Sequence, residues 1–221
     1  MPVTAAFRIA RRVRIAIRRV ARDARAAVMI EMAFAIPLLA LLGCGGLEIA
    51  NLTLVNTRIS QIGLSVADNA SRIAAGSNLA LPRVREVDIN EVFAGVEKQG
   101  EGLGFRENGR IILSSLERND DDGQWIHWQR CYGDLDIDSE FGPEGTGETG
   151  DDFAGMGPEG EEVTAPAGTA IMFVEVTYNY RPLLYGKWLG ARTIKSTAAF
   201  NIREARNLTG GVFEPGTPST C

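Results

Sequence analysis

The sequence predicts an α+β fold in which one long N-terminal helix packs on a small antiparallel sheet. Two observations support this prediction. An apolar stretch at residues 26–47 continues, with no turn signal, into apolar residues spaced three and four apart. Beyond about residue 110, four stretches alternate apolar and polar residues, which is typical of strands with one buried face. The amphipathic half of the helix is the element available to cover that face.

Residues 26–47 are long enough to cross a bilayer, which takes ~20 apolar residues. Eight arginines and one acid precede this stretch, and no basic residue follows it until Arg58. Positive charge is enriched on the cytoplasmic side of membrane helices. The sequence therefore predicts a single-pass membrane protein with a cytoplasmic N-terminus and a C-terminal domain outside the cytoplasm.

The basic segment at residues 5–22 has two interpretations, and the sequence leaves both open. Its apolar residues Ile9, Val13, Ile17 and Val20 have near-helical spacing, which favours a helix on the anionic inner leaflet or a processed leader. The alternative is a disordered arginine-rich start that serves only to set topology.

A narrow apolar stripe extends the membrane helix beyond the apolar stretch. We expect one helix from about residue 24 to about residue 75, kinked at Pro37 and ending at residues 76–78 (GSN). Its second half would offer a seam to a globular domain or a partner helix. The residues of this seam are Leu52, Val55, Ile59, Ile62 and Val66.

The remaining elements follow from changes in period. Residues 83–99 predict a short helix whose apolar positions are Val84, Val87, Val92 and Val96. Four strands with one polar face predict a single antiparallel sheet, at residues 110–118, 123–132, 170–181 and 192–203. A turn at residues 119–123 would join the first two strands as a hairpin.

The chain thus divides into a basic cytoplasmic leader or topology segment, a membrane helix, its amphipathic continuation and an α+β domain. These segments are residues 1–25, 26–47, 48–76 and 77–221. Within the last segment, residues 133–166 contain eleven acids, eight glycines and neither lysine nor arginine. This composition predicts a long surface loop that is at least partly mobile.

Charge and cysteine content limit the function classes. The net charge is −5 and the first 25 residues carry +7, so the remainder carries −12 and is a poor partner for nucleic acid. Cys44 lies in the apolar stretch, which leaves Cys131 and Cys221 for the exported domain. An even pair in an oxidising compartment usually bonds, with two free thiols as the alternative.

No catalytic constellation is visible, so we predict that the protein is not an enzyme and needs no cofactor. His127 is the only histidine, and it alternates with Trp125 and Gln129 on a predicted strand. An ordinary sheet-face histidine is the favoured interpretation over a general base.

Two features leave alternative functions open. Asp134, Asp136 and Asp138 place carboxylates at alternate positions, as a weak calcium-binding pattern would, so a calcium-dependent adhesive or sensing domain is one alternative to a solvated acidic loop. Residues 41–44 (LLGC) are spelled like a lipoprotein processing site, which makes a lipoprotein anchored through Cys44 the other alternative.

Glu31 is the sharpest single feature, because a carboxylate in an apolar helix is costly and usually has a partner. Near the helix boundary it can snorkel to the inner interface. The functional alternative is that it neutralises a positive charge on a neighbouring subunit.

Residues 25–39 (RAAVMIEMAFAIPLL) resemble the N-terminal signature of type IV pilin-like proteins, and most closely the TadE-like group of Tad (Flp) pilus systems. Further similar motifs are residues 46–48 (GLE), 112–115 (ILSS), 128–131 (WQRC), 174–183 (VEVTYNYRPL) and 219–221 (STC). The resemblance implies cleavage by a prepilin peptidase between Ala26, where the family usually has Gly, and Ala27. It makes Glu31 the fifth mature residue and Glu48 the second acidic position.

What the resemblance implies is a pilin-like fold and a role as a minor pilin or assembly component of a Tad-type adhesion pilus. The protein would stand in the bacterial inner membrane with a periplasmic domain, or enter the pilus. Its partners would be other pilus subunits or assembly-platform proteins.

Overall fold

The computed structural model describes residues 3–20, 24–73, 81–184 and 190–221. It confirms a mixed fold with one long N-terminal helix and a four-stranded antiparallel sheet. The helices are α1 (Val3–Val20), α2 (Ala24–Ser71), α3 (Glu86–Gln99) and the short α4 (Phe105–Asn108). The strands are β1 (Gly109–Arg118), β2 (Gln124–Tyr132), β3 (Ile171–Tyr180) and β4 (Arg192–Asn201).

Contacts divide the chain into two compact units, residues 1–50 and 51–221. The first unit contains α1 and the apolar part of α2, with Pro37 inside the helix. A stretch of α2 beginning at Ala27 has a mean hydropathy of 2.2 and is long and apolar enough to cross a membrane. Among residues 11–19 and 27–50, whose side chains the structure describes, most large apolar side chains are exposed, as expected of a helix that meets lipid.

The second unit is built on the sheet, whose strand order is β2-β1-β3-β4 with every neighbouring pair antiparallel. The predicted strands are confirmed to within a few residues at their ends. In β1 and β2, a register shift between Ser115 and Leu116 marks a bulge, with Ser115 opposite Trp128 and Leu116 opposite Ile126.

The main core lies on one face of the sheet, under the second half of α2 and under α3. Val174 and Val176 of β3 face Ile59 and Ile62 of α2 in one continuous apolar cluster. Side chains of the sheet alternate between its two faces. Alternate residues of a strand therefore reach this core, as Met172, Val174 and Val176 of β3 do.

The second face of the sheet is not the solvated polar face that the alternation predicted. Residues 133–166, expected to be a mobile surface loop, instead cover β1, β2 and β3 there and form a second apolar cluster. In β3, Glu175 is 7% exposed and Thr177 is 9% exposed. Strand β4 keeps exposed residues on this face, including Lys195 and Thr197. The cluster consists of Leu116, Ile126, Met156, Ala165, Ile171 and Phe173, with Phe141, Phe153 and Val163 packed against it.

Two helix predictions need correction. Helix α3 begins at Glu86 rather than at residue 83, and its buried face contains Ile89, Phe93 and Val96, whereas Val87 and Val92 are only half-buried. The prediction counted valines and overlooked the larger Ile89 and Phe93, which bury more apolar surface. Helix α2 ends at Ser71. The predicted stop at residues 76–78 lies outside the described residues.

Candidate functional site

The N-terminal part of α2 carries the residues that the pilin signature identifies. Ala26 and Ala27 lie within the helix, and the side chains of Ala27 and Glu31 are exposed. The side chain of Ala26 lies outside the described residues. Because residues four apart share a helix face, Ala27 and Glu31 lie on the same side of α2. A carboxylate on an exposed apolar helix is accessible to a neighbouring molecule.

Glu48, the second acidic position, has a different environment. It is 4% exposed, whereas the side chains on either side of it, Leu47 and Ile49, are 64% and 67% exposed. Seventeen residues of helix separate it from Glu31, which corresponds to a rise of about 25 Å. The two carboxylates therefore cannot serve one counter-charge. Cys44, between them in sequence, is a half-buried free thiol.

The seam of α2 lies in the main core. Val55, Ile59, Ile62 and Val66 are at most 7% exposed, and Leu52 is partly buried against the same cluster. The seam also depends on a glycine that the apolar pattern did not identify. A β-carbon at Gly63 would lie 3.0 Å from Cγ2 of Val176, which is closer than most carbon–carbon contacts in proteins. Glycine at this position therefore allows α2 and β3 to pack closely.

Cys131 and Cys221 form a disulfide bond, as predicted, with their α-carbons 4.9 Å apart and 90 residues of separation. The bond fastens the C-terminal segment to β2, where the backbone N–H of Cys131 also donates to the carbonyl of Ser219 at 2.7 Å. A cross-link over such a loop stabilises a fold mainly by restricting the unfolded chain.

The C-terminal segment, residues 203–221, joins α2, α3 and β2. Arg206 is buried and donates to the carbonyls of Ala70 and Ile73 at the end of α2, at 3.2 and 3.3 Å. Burial lowers the pKa of Arg206 to about 10, with the charge of Glu117 opposing that shift. A cation at a helix C-terminus compensates the negative end of the helix dipole.

Further along the segment, backbone bonds hold the start of α3. The amide N–H groups of Glu86 and Val87 donate to the carbonyls of Phe213 and Pro215, at 2.9 and 3.0 Å. These two donors belong to the first turn of a helix, where the helix itself offers no acceptor. The C-terminal segment thus substitutes for the missing turn.

A buried ion pair links α3 to β2. The guanidinium of Arg130 contacts the carboxylate of Glu86 at 2.5 Å, and the two side chains are 11% and 4% exposed. Arg130 also contacts Glu144 of the acidic loop at 3.1 Å. Burial opposes the charge on Arg130, but its hydrogen bonds and the two carboxylates outweigh burial and raise its pKa. Forty-four residues separate the main partners, so no local pattern indicated this pair.

His127 lies on β2, as predicted, and stacks on Trp125 with ring centroids 4.3 Å apart. Its Nδ1 lies 2.9 Å from Oε2 of the buried Glu117, whose Oε1 accepts a hydrogen bond from the Ser115 hydroxyl at 2.7 Å. The carboxylate lies between the imidazole and the hydroxyl. In a Ser-His-Asp triad the imidazole itself hydrogen-bonds the hydroxyl, so this cluster does not have the arrangement of such a triad.

The structure does not bring Asp134, Asp136 and Asp138 together as a cation site. All three are exposed on an extended segment, where alternate residues are spaced by about 6.5 Å, whereas calcium ligands converge to within ~2.5 Å of the ion. Across the described ranges, no group of three or more His, Cys, Asp or Glu side chains is placed to hold a metal. The three aspartates are exposed, whereas the intervening Leu135 and Ile137 are half-buried.

Glu175 anchors the acidic loop to the sheet. Its carboxylate accepts from the Ser139 hydroxyl at 2.6 Å and from the backbone N–H of Glu140 at 2.9 Å. Burial raises the pKa of Glu175, and these two hydrogen bonds partly oppose the shift. Beside it, Phe141 packs edge-on against Phe173 with centroids 5.3 Å apart. The contact that excludes water from Glu175 is therefore also the contact that holds the loop.

The described residues combine an exposed apolar helix that carries Glu31 with a disulfide-linked domain in which the Glu86–Arg130 and Glu117–His127 pairs are largely buried. The chain matches no family model, and no curated protein or solved structure is significantly similar to it.

Proposed function

We propose that this protein is a TadE-like minor pilin or assembly component of a Tad-type adhesion pilus, anchored in the bacterial inner membrane. The proposal rests mainly on the different environments of the two parts of α2. Its first part exposes apolar side chains around Glu31, and its second part contributes Ile59, Ile62 and Val66 to the core of a domain. A pilin-like subunit requires a single helix whose first part lies in the membrane and whose second part packs in the core of the domain.

Glu31 is proposed as the assembly residue. An unpaired carboxylate within the apolar region of a membrane helix costs up to ~2.5–3.5 kcal/mol at the centre and less near the edge. Cleavage between Ala26 and Ala27 would create an ammonium group at the N-terminus of each subunit. Pairing of that ammonium with Glu31 of a neighbour would offset the cost, so the carboxylate would favour one register between subunits.

The proposed topology places residues 1–25 in the cytoplasm and the second unit in the periplasm. The excess of arginine before α2 supports this orientation. The Cys131–Cys221 bond supports it independently, because disulfides persist in oxidising compartments such as the periplasm. A role in association rather than catalysis agrees with the placement of Glu117 between Ser115 and His127.

The test is the N-terminal residue and intact mass of the mature protein purified from membranes. A chain that begins at Ala27 supports pilin-type processing and incorporation into the pilus. An uncut chain contradicts processing and leaves a fixed anchor at the base of the pilus. A chain that begins at a lipid-modified Cys44 would overturn the proposal in favour of a lipoprotein.

A further inference from the structure

Strand β3 ends, and strand β4 begins, beside the start of the second unit. Asn51, the first residue of that unit, donates from its side-chain amide to the hydroxyl of Tyr180 at 2.8 Å. Tyr180 is the last residue of β3, and it pairs with Arg192, the first residue of β4. The two strand ends therefore lie at the level of Asn51.

Asn51 is also close to the end of the apolar stretch. Asn51 follows Leu47 by four positions, and four residues of chain reach at most about 14 Å. This limit comes from chain connectivity alone. If residues 26–47 cross a bilayer, the ends of β3 and β4 lie near the interfacial layer, which together with its counterpart adds ~10–15 Å to the hydrocarbon core.

The surface at these strand ends has the composition of a membrane interface. Leu183 and Leu184 are 67% and 55% exposed, so two adjacent leucines present apolar surface there. Arg181 and Arg192 are exposed on either side of them. No acidic residue occurs in the sequence from Arg181 to Arg192, although the second unit as a whole is strongly acidic.

We propose that Arg181, Leu183, Leu184 and Arg192 form a membrane-contact surface that binds the anionic lipid surface at which the apolar stretch of α2 ends. The leucines would enter the boundary between headgroups and acyl chains, and the guanidinium groups would pair with lipid phosphates. The inference rests on the membrane insertion proposed above. It adds a second attachment point, which fixes the domain against rotation about its single helix.

The test measures the depth of single fluorescent labels in the full chain, reconstituted in vesicles that contain phosphatidylglycerol and brominated phospholipids as quenchers. Every variant carries Cys44→Ser. Because Cys131 and Cys221 are bonded to each other, the introduced cysteine is then the single free thiol available to the label. An environment-sensitive label is placed at Leu184→Cys and, in a second variant, at Leu183→Cys.

Two matched labels bracket the result. Leu39→Cys, 65% exposed on the apolar part of α2, reports insertion of the helix. Leu81→Cys, 57% exposed, reports the far end of the domain. Its neighbour Pro82 accepts from Asn207 N–H, and the nearby Arg203 N–H donates to the carbonyl of Ser71. Ser71 lies twenty residues along the helix from Asn51, about 30 Å away.

We expect brominated lipid to quench the labels at residues 183 and 184 several-fold more than the label at residue 81. Replacing phosphatidylglycerol by phosphatidylcholine should reduce this quenching, and Arg181→Gln with Arg192→Gln should remove the dependence on anionic lipid. If the label at residue 39 is quenched but the labels at residues 183 and 184 are quenched no more than the label at residue 81, the proposed contact surface is wrong, whereas membrane insertion of the helix is supported. If energy transfer between labelled copies accompanies that pattern, the surface is instead an interface between two chains. An unquenched label at residue 39 overturns membrane insertion itself.

Discussion

Arg130 of β2 and Glu86 at the start of α3 form an ion pair that is almost wholly removed from water. Removing one partner of a buried pair leaves the other charge uncompensated, which typically costs about 3–5 kcal/mol. Glu144 still contacts Arg130 at 3.1 Å in the Glu86→Ala variant, so we expect a loss at the lower end of this range. Glu86→Ala should lower the free energy of unfolding by about 3 kcal/mol, measured by urea titration of tryptophan fluorescence on the full chain in detergent.

Two controls separate the ion pair from general damage. Asp134→Ala removes an exposed partner whose carboxylate lies 3.9 Å from Arg106, and exposed pairs contribute at most ~1 kcal/mol. The double variant Glu86→Leu/Arg130→Met removes both charges and should recover most of the loss. A double variant as unstable as Glu86→Ala would contradict the assignment of the loss to a stranded charge.

The contact between Gly63 and Val176 makes a second prediction. Alanine is the better helix former by up to ~1 kcal/mol, but overpacking a core costs about 1–3 kcal/mol. Because a β-carbon at residue 63 would lie 3.0 Å from Val176, packing should dominate and Gly63→Ala should lower the midpoint of thermal unfolding. Gly95→Ala in α3 meets no atom within 4 Å and should raise it. Equal shifts in both variants would show that helix propensity alone decides.

Glu175 predicts a pH dependence of stability. Burial raises its folded pKa above the ordinary value of 4.5, so the folded protein binds more protons than the unfolded chain above that pH. The contribution of Glu175 to stability is therefore greatest below pH 4.5 and is lost as the pH rises through the raised pKa. Relative to wild type, Glu175→Gln should become progressively more stable from pH 4 towards neutrality, measured by thermal unfolding across that range.

Glu162 is the control of opposite sign. The backbone N–H of Gly160 lowers its pKa, so its contribution appears as the carboxyl ionises and Glu162→Gln should lose stability relative to wild type as the pH rises. Its side chain is only half-buried, so the effect should be small. The same sign of pH dependence in both variants would refute the burial of Glu175 as the cause.

Glu31→Ala should leave the protein inserted in the membrane but impair pilus assembly, because the variant removes the proposed partner of the neighbouring ammonium and lowers the cost of insertion. Membrane fractionation and electron microscopy of pili measure the two effects. Glu31→Gln keeps the shape and removes the charge, so it should impair assembly to a similar extent. Normal pili in both variants would remove the assembly role of Glu31.

The long helix and the four strands were predictable because their signals are local. A period of three to four residues placed Val55 to Val66 on one helix face, and a period of two placed Met172, Val174 and Val176 on one strand face. Cys131 and Cys221 were predictable as a pair because Cys44, the third cysteine of the sequence, lies in the apolar stretch.

The packing of the acidic loop, residues 133–166, on the second face of the sheet was not predictable. Phe141, Phe153 and Met156 of the acidic loop have no periodic spacing, and their composition resembled a solvated segment. The alternation of β3 likewise indicated an exposed Glu175, because the sequence does not show what packs over a strand.

By itself, then, the sequence determined the elements, the apolar stretch, the charge asymmetry across it and the position of Glu31. Only the tertiary structure decided that Glu86 meets Arg130, that Gly63 meets Val176 and that the ends of β3 and β4 lie beside Asn51. The physical reason is the separation in sequence between the residues that interact. Secondary structure follows from spacing within a few residues, whereas these contacts join residues from 44 to 129 positions apart and depend on how the completed elements pack.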